Sequence, residues 1–164
     1  MKSRQSPIPR QPIKRNSDAL STTASRLCSK PTSTPGADML HHISIGVRDL
    51  RAAGAFYDGT LGALGYRRVF DGEASIGYGL VDGQDILLLN LCVDAAAPGD
   101  GFHLAFSAPS RASVDAFHRN GLAAGGRDNG APGLRPDYGD AYYAAFLVDP
   151  DGHRIEAVIN RIAA

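Results

Sequence analysis

His42-Ile-Ser-Ile-Gly-Val47 and, 61 residues further on, His103-Leu-Ala-Phe-Ser-Ala108 are the two stretches whose reading decides the fold. Each alternates aliphatic with small or polar residues, the period-2 signature of a strand with one face buried. Read forward without gaps, the two copies keep matching: Ala55 falls on Ala116, Phe56 on Phe117, Leu61 on Leu122, Ala63 on Ala124 and Gly65 on Gly126. A helix-start signal follows each strand, Asp49 in one and Pro109-Ser110 in the other. The helices that follow place Leu50, Ala53, Phe56, Tyr57 and Leu61 on one side, with Val114, Phe117 and Leu122 in the second copy, and stop near the glycines at 62/65 and 125/126.

Strand-like runs come next: Tyr66–Asp71, Ser75–Val81 and Asp85–Val93, then an ill-defined piece around 126–135, Tyr142–Val148 and Arg154–Ile159. The turn signals Asp71-Gly72, Asp82-Gly83 and Asp149-Pro-Asp-Gly152 punctuate them. Each copy therefore reads β-α-β-β-β. The fold class is α+β, two βαβββ modules (about 39–97 and 98–164) with curved mixed sheets around a cavity.

Charge divides the chain. Residues 1–38 hold seven basic residues against two acids, a net +5, along with all three lysines and half of the prolines. With Ser/Thr clusters and no apolar period, this segment reads as a disordered basic tail. Residues 39–164 carry ten arginines against fifteen acids, a net −5. The whole chain is neutral, which excludes nucleic acid as the main partner. No apolar run reaches the length of a membrane span, and Cys28 and Cys92 form no metal or disulfide motif. The chain reads as cytoplasmic, with no membrane partner.

Strand parity points to the chemistry. His42, Ser44 and Gly46 share one face, and His103, Ala105 and Ser107 the equivalent face of the second copy. In the last strand Ile155, Ala157 and Ile159 form the aliphatic set and Glu156 projects opposite. Two imidazoles and one carboxylate on such faces make a suitable set for a divalent ion, with positions left open for substrate. His41 falls on the packing side or before the strand; His118, on a helix, and His153, at a turn, read as surface residues. Gly125–Tyr143 reads as a substrate lid. Within it Arg135 is placed to hold a carboxylate or phosphonate, and Tyr138, Tyr142 or Tyr143 to line the pocket, with Tyr143 taken as the contact.

Leu40-His-His-Ile-Ser-Ile-Gly-Val-Arg-Asp-Leu50, Phe56-Tyr57 and Val148-Asp-Pro-Asp-Gly-His-Arg-Ile-Glu-Ala157 resemble the vicinal oxygen chelate superfamily, which contains glyoxalase I, bleomycin-resistance proteins, fosfomycin-resistance thiol transferases and extradiol dioxygenases. The resemblance implies paired βαβββ modules around a divalent metal (zinc, manganese, iron or nickel). Its ligands would be His42, His103 and Glu156, with Glu156 also catalytic and Ser44 beside the substrate. Glyoxalase I resembles this chain but adds a glutamate from the last strand of the first module. Aligning Leu80-Val-Asp82 with Leu147-Val-Asp149 puts Leu87 or a neighbour there, with Asp85 the remaining substitute. Extradiol dioxygenases carry a tyrosine where this chain has Phe146, and a histidine with no counterpart here. The function expected is a metal-dependent, glyoxalase-like lyase or isomerase acting on a small oxygenated molecule, working as a homodimer. A non-catalytic drug-binding protein, a thiol transferase and a ring-cleaving dioxygenase are the alternatives.

Overall fold

The computed structural model describes residues 40–161, so the basic segment 1–38 lies outside the described residues. The chain runs β1 (Ile43–Val47), α1 (Leu50–Ala63), β2 (Arg67–Asp71), β3 (Ser75–Gly79), β4 (Leu87–Leu91), β5 (Leu104–Ser107), α2 (Arg111–Ala123), β6 (Arg127–Leu134), β7 (Tyr142–Val148) and β8 (Arg154–Asn160). The strands form two four-stranded sheets, ordered β1-β4-β3-β2 and β5-β8-β7-β6. In each, the first strand lies parallel to the last of its module and the other pairings are antiparallel. The architecture is α+β, one βαβββ module repeated.

Local chemistry sets the helix ends. Asp49 caps α1, its Oδ1 accepting the backbone N–H of Arg51 at 2.9 Å and of Ala52 at 3.0 Å. Ser110 caps α2 through the N–H of Ser113 at 3.1 Å. Past the two helices, Gly65 and Gly125 turn the chain at φ +92° and +90°, where a Cβ would be strained. The second helix is one residue shorter than the first, so the offset of 61 that relates their starts slips by one at this point.

The helices join the modules. Asn120 Nδ2 donates to Gly59 O at 3.0 Å, and a Cβ on Gly121 would stand 2.9 Å from Thr60 Cγ2. Gly59 with Asn120, and Thr60 with Gly121, are pairs of equivalent positions in the two copies. Equivalent residues meeting each other is the mark of a two-fold relation, here internal to one chain. Around this crossing Val47, Phe56, Tyr57, Leu61, Tyr78, Leu87, Leu89, Val114, Phe117, Leu147 and Ile155 form one core that draws on both modules. Leu122, expected on the packed side of its helix, is exposed instead.

A polar clasp reinforces the junction. The turn Asp149-Pro-Asp-Gly152 between β7 and β8 folds onto the first module. Asp149 is 1% exposed; its Oδ2 accepts from Tyr57 Oη at 2.9 Å and its Oδ1 from the N–H groups of Asp151 (2.9 Å) and His153 (2.7 Å). Burial holds the Asp149 carboxyl above the usual range and the Tyr57 phenol well above its own. Asp151 Oδ1 accepts from Arg48 N at 3.0 Å and Arg48 Nε at 2.9 Å. His153 was expected at the surface. It is 2% exposed, because its Nε2 reaches across to Gly46 O at 2.9 Å on β1, which leaves Nδ1 buried without a partner among the described residues.

Candidate functional site

The registers fix which positions correspond. Ser44 stands opposite Leu88 on β4, and its equivalent Ala105 stands opposite Glu156 on β8. The counterpart of Glu156 in the first module is therefore Leu88, one residue beyond Leu87. Asp85 precedes β4, and its Cβ lies beside Gly77. Where the second module presents a carboxylate, the first presents an isobutyl group.

The face of the second sheet that looks away from the helices gathers most of the chemistry. Leu104, Ile155 and Ala157 point into the core, so their neighbours His103, Ala105 and Glu156 take the other face. Here His103 Nε2 lies 3.0 Å from Glu156 Oε2; the imidazole is 52% exposed and the carboxylate 2%. Glu156 Oε1 accepts from Tyr142 Oη at 2.6 Å. Burial first, and the bond to Glu156 second, push the Tyr142 phenol up to about 12, so it stays a donor across the physiological range. Both carboxylate oxygens thus have partners, as a buried carboxylate requires. Edge-on to Tyr142, with ring centroids 5.3 Å apart, stands Tyr138, which is largely exposed.

Tyr142 is the residue that sequence reasoning passed over in favour of Tyr143. Tyr143 takes the other parity of β7. Its hydroxyl donates to Asp115 Oδ1 at 2.8 Å and its ring lies under Arg111, both on α2, so it belongs to the helix side and not to the Glu156 face. The signal was present in the hairpin: counting back from the Asp149-Pro-Asp-Gly152 turn pairs Val148 with Arg154 and Phe146 with Glu156, which gives Tyr142 the parity of Glu156. The expected lid over Gly125–Tyr143 is largely sheet: eight of its residues form β6, bulged twice against β7, and Pro136–Tyr138 make one turn of 3-10 helix. Arg135 sits between the two. His118 is held by Asp128, with Nε2 and Oδ1 2.8 Å apart.

On the first sheet Ser44 is exposed and Ile45 and Val47 are buried. His42 lies just before β1, its Nδ1 2.8 Å from Nδ1 of His41. The structure thus brings His103 and Glu156 together and adds Tyr142, while His42 pairs with its own neighbour. Among the described residues no three His, Cys, Asp or Glu side chains are grouped to hold a metal ion. No helix of the described residues is long and apolar enough to cross a membrane.

The comparisons follow the same outline. A family model described as Glyoxalase/Bleomycin resistance protein/Dioxygenase superfamily matches residues 39–157. Among solved structures, the chain is similar to a glyoxalase/bleomycin resistance protein from Albidiferax ferrireducens, at 33% identity and TM-score 0.65, over 76% of this chain and 100% of that one. It is also similar to a glyoxalase-related enzyme from Fulvimarina pelagi, at 26% identity and TM-score 0.59, over 76% and 92%. A fosfomycin resistance protein from Mesorhizobium loti shares the fold at 19% identity and TM-score 0.55, over 75% and 92%. No curated protein sequence matches.

Proposed function

Because the chain belongs to the Glyoxalase/Bleomycin resistance protein/Dioxygenase superfamily, we propose that it is a metal-dependent, glyoxalase-like enzyme that carries out lyase or isomerase chemistry on a small oxygenated molecule. The observation that carries this reading is the contact of His103 Nε2 with Glu156 Oε2 at 3.0 Å, made by a carboxylate that is almost wholly buried. His103 and Tyr142 satisfy both oxygens of this carboxylate, and a bound cation would add the opposite charge that favours a buried anion. The donors, one neutral nitrogen and one anionic oxygen on adjacent strands, suit a divalent ion such as zinc, manganese, iron or nickel.

A mononuclear site needs a third donor, and His42 is the residue for it. His42 belongs to the other sheet, so the proposal takes the third ligand from a second copy of the chain: His103 and Glu156 from one protomer, and His42, flanked by Ser44, from its partner. When bound, the ion supplies a Lewis acid for two neighbouring substrate oxygens and for the negative charge that develops on them. The chain's own residues do the rest. Tyr142 fixes the rotamer of Glu156 through its 2.6 Å bond. Glu156 is the group placed to exchange a proton with the substrate, since Leu88 at the mirrored position has none to exchange. Ser44 and Arg135 contact the substrate.

A drug- or metabolite-binding protein without a metal is the second reading, favoured by the lack of a three-donor group among the described residues. Metal analysis separates the two. The purified protein is expected to hold a stoichiometric divalent ion, and His103→Ala and Glu156→Ala to lose it. Co-expression of His42→Ala chains with Glu156→Ala chains should restore about a quarter of the sites, because half of the dimers are mixed and each mixed dimer carries one intact site. Unchanged metal content in His103→Ala and Glu156→Ala overturns the enzyme reading. Metal loss with no recovery in the mixture overturns the shared site.

A further inference from the structure

Phe146 on β7 and Glu156 on β8 are direct cross-strand partners, which places their side chains next to each other on one face. The ring of Phe146 is covered from the far side. Arg135, just past β6, sets its guanidinium 5.5 Å from the ring centroid. Two glycines of β6 leave the room for this. Gly130 pairs with Phe146, and a Cβ there would stand 2.9 Å from Phe146 Cδ2; Gly133 pairs with Ala144, and a Cβ there would stand 3.0 Å from Arg135 Nη1. A row Gly130, Phe146, Glu156, Ala105 therefore crosses the sheet, with the Arg135 cation over the Phe146 ring, one strand away from Glu156.

The guanidinium is aimed but not neutralised. Nη1 donates to Leu134 O at 3.2 Å and Nη2 to Ala131 O at 2.6 Å, which fixes its plane against its own loop. A guanidinium has five N–H donors, and among the described residues no carboxylate lies within ion-pair distance of this one. Arg48, Arg67, Arg68 and Arg154 each meet an aspartate, while Arg51, Arg111, Arg119, Arg127 and Arg161 share the unpaired state with Arg135 among the described residues. What sets Arg135 apart is its place over Phe146, the cross-strand partner of Glu156. A planar, oriented cation with donors to spare, set on an aromatic ring, is the arrangement that receives a carboxylate in two-point fashion. Tyr142 and Tyr138 add two more ring faces at the rim.

We propose that Arg135 is the anion-recognition residue of this face, and that the substrate carries a carboxylate on a flat, unsaturated or aromatic frame. The inference deepens the metal-enzyme reading by naming the substrate class, and it rests on that reading only for the oxygens at the ion. Selectivity comes from charge: the acid finds an oriented, half-exposed cation in Arg135, while its neutral amide brings no charge to meet it.

The test is calorimetric titration and thermal shift with protocatechuate and its neutral amide, which present the same vicinal hydroxyls and differ at the carboxyl group. Inorganic phosphate is the third probe. Each is run on metal-loaded and metal-free wild-type protein, Arg135→Gln and Arg135→Lys. The expected result is that wild-type protein binds the acid about tenfold or more tightly than the amide. Arg135→Gln should erase that preference while metal content stays at the wild-type level, and Arg135→Lys should keep part of it. Phosphate that binds as well as the acid and is lost in Arg135→Gln overturns the carboxylate assignment in favour of a general oxyanion site. Equal affinity for acid and amide, an unchanged preference in Arg135→Gln, or no binding of either probe overturns the proposal. Should wild-type protein hold no metal, the enzyme reading fails, and acid preference in the metal-free protein still decides the role of Arg135.

Discussion

The two modules share a scaffold, and one matched position separates their chemistry. Ser44 and Ala105 occupy the same place in their sheets, but the residue across from Ser44 is Leu88 and the residue across from Ala105 is Glu156. His103 consequently has a carboxylate to meet at 3.0 Å, whereas among the described residues His42 is paired with the neighbouring His41. The helix face shows the opposite trend: Phe56 and Phe117 are both fully buried, and Thr60 rests on its own equivalent Gly121. Packing between the modules holds the aromatic anchors in common and lets equivalent positions meet as complementary residues. The outward faces are under no such constraint, so one of them can carry the acidic group alone.

The largest effect should separate the matched pair. On the proposed ligand set, Glu156→Ala is expected to weaken divalent-metal binding by at least about a hundredfold, since losing a ligand outweighs the 10–100-fold typical of supporting groups. Leu88→Ala, at the mirrored place, should leave metal binding within about twofold. Titration of metal-free protein followed by metal analysis reads both. Equal losses in the two variants would mean that the modules are functionally alike despite their different residues.

The next contrast lies at the helix crossing. Gly121→Ala drives a methyl into Leu147 and Thr60 and is expected to cost about 1–3 kcal/mol in chemical denaturation. Gly59→Ala, on the facing helix, meets Asn120 only at an ordinary 3.6 Å and should gain about 0.5–1 kcal/mol from helix propensity. A Gly121→Ala variant as stable as wild type would mean that the crossing yields, and that the internal two-fold contact is not tightly specified.

The clasp gives a change of similar size with a pH signature. Tyr57→Phe removes the hydroxyl that Asp149 accepts from, leaving one oxygen of a buried carboxylate without its donor, at about 1–3 kcal/mol. Asp149 is already held above the usual carboxyl range by burial, and the lost bond raises it further. A carboxyl whose pKa rises on folding favours the folded state less as pH climbs through that pKa. The deficit of Tyr57→Phe relative to wild type is therefore smallest near about pH 4 and grows towards neutrality. Denaturation midpoints across that range check it, and a deficit that shrinks on the way to neutrality would contradict the assignment.

How much of this was legible in the chain is clearest at particular residues. Alternation in His42–Val47 and His103–Ala108 tells which side chains share a face, because the side-chain period of a strand is 2 whatever it pairs with. Alternation says nothing about register, and the counterpart of Glu156 depends on register, so Leu87 and Leu88 could be told apart only once β1 had paired with β4. Turn residues such as His153 look solvated when judged by neighbours in sequence. Its burial depends on Gly46, 107 positions away. Tyr142 was within reach, since the tight turn before β8 fixes the hairpin register from the sequence alone.

The smallest expected effect concerns Tyr142 and sharpens the comparison from the occupied side. Its phenol is moved from the ordinary 10 to about 12, by burial and then by its bond to Glu156. A group whose pKa is raised on folding stabilises the fold fully below its unfolded value and loses that contribution as pH rises through the folded one. Wild-type protein should therefore shed a small part of its stability between about pH 10 and pH 12, and Tyr142→Phe should lack that step. The other tyrosines titrate in the same alkaline range, so the measurement is the difference between the two proteins. Tyrosinate absorbance supplies the second reading: Tyr142→Phe should remove one late-titrating phenol, and Glu156→Gln should bring that phenol back towards the ordinary range without removing it. If Glu156→Gln leaves the late phenol where it was, burial alone holds Tyr142, and the tyrosine lies near the carboxylate without governing it.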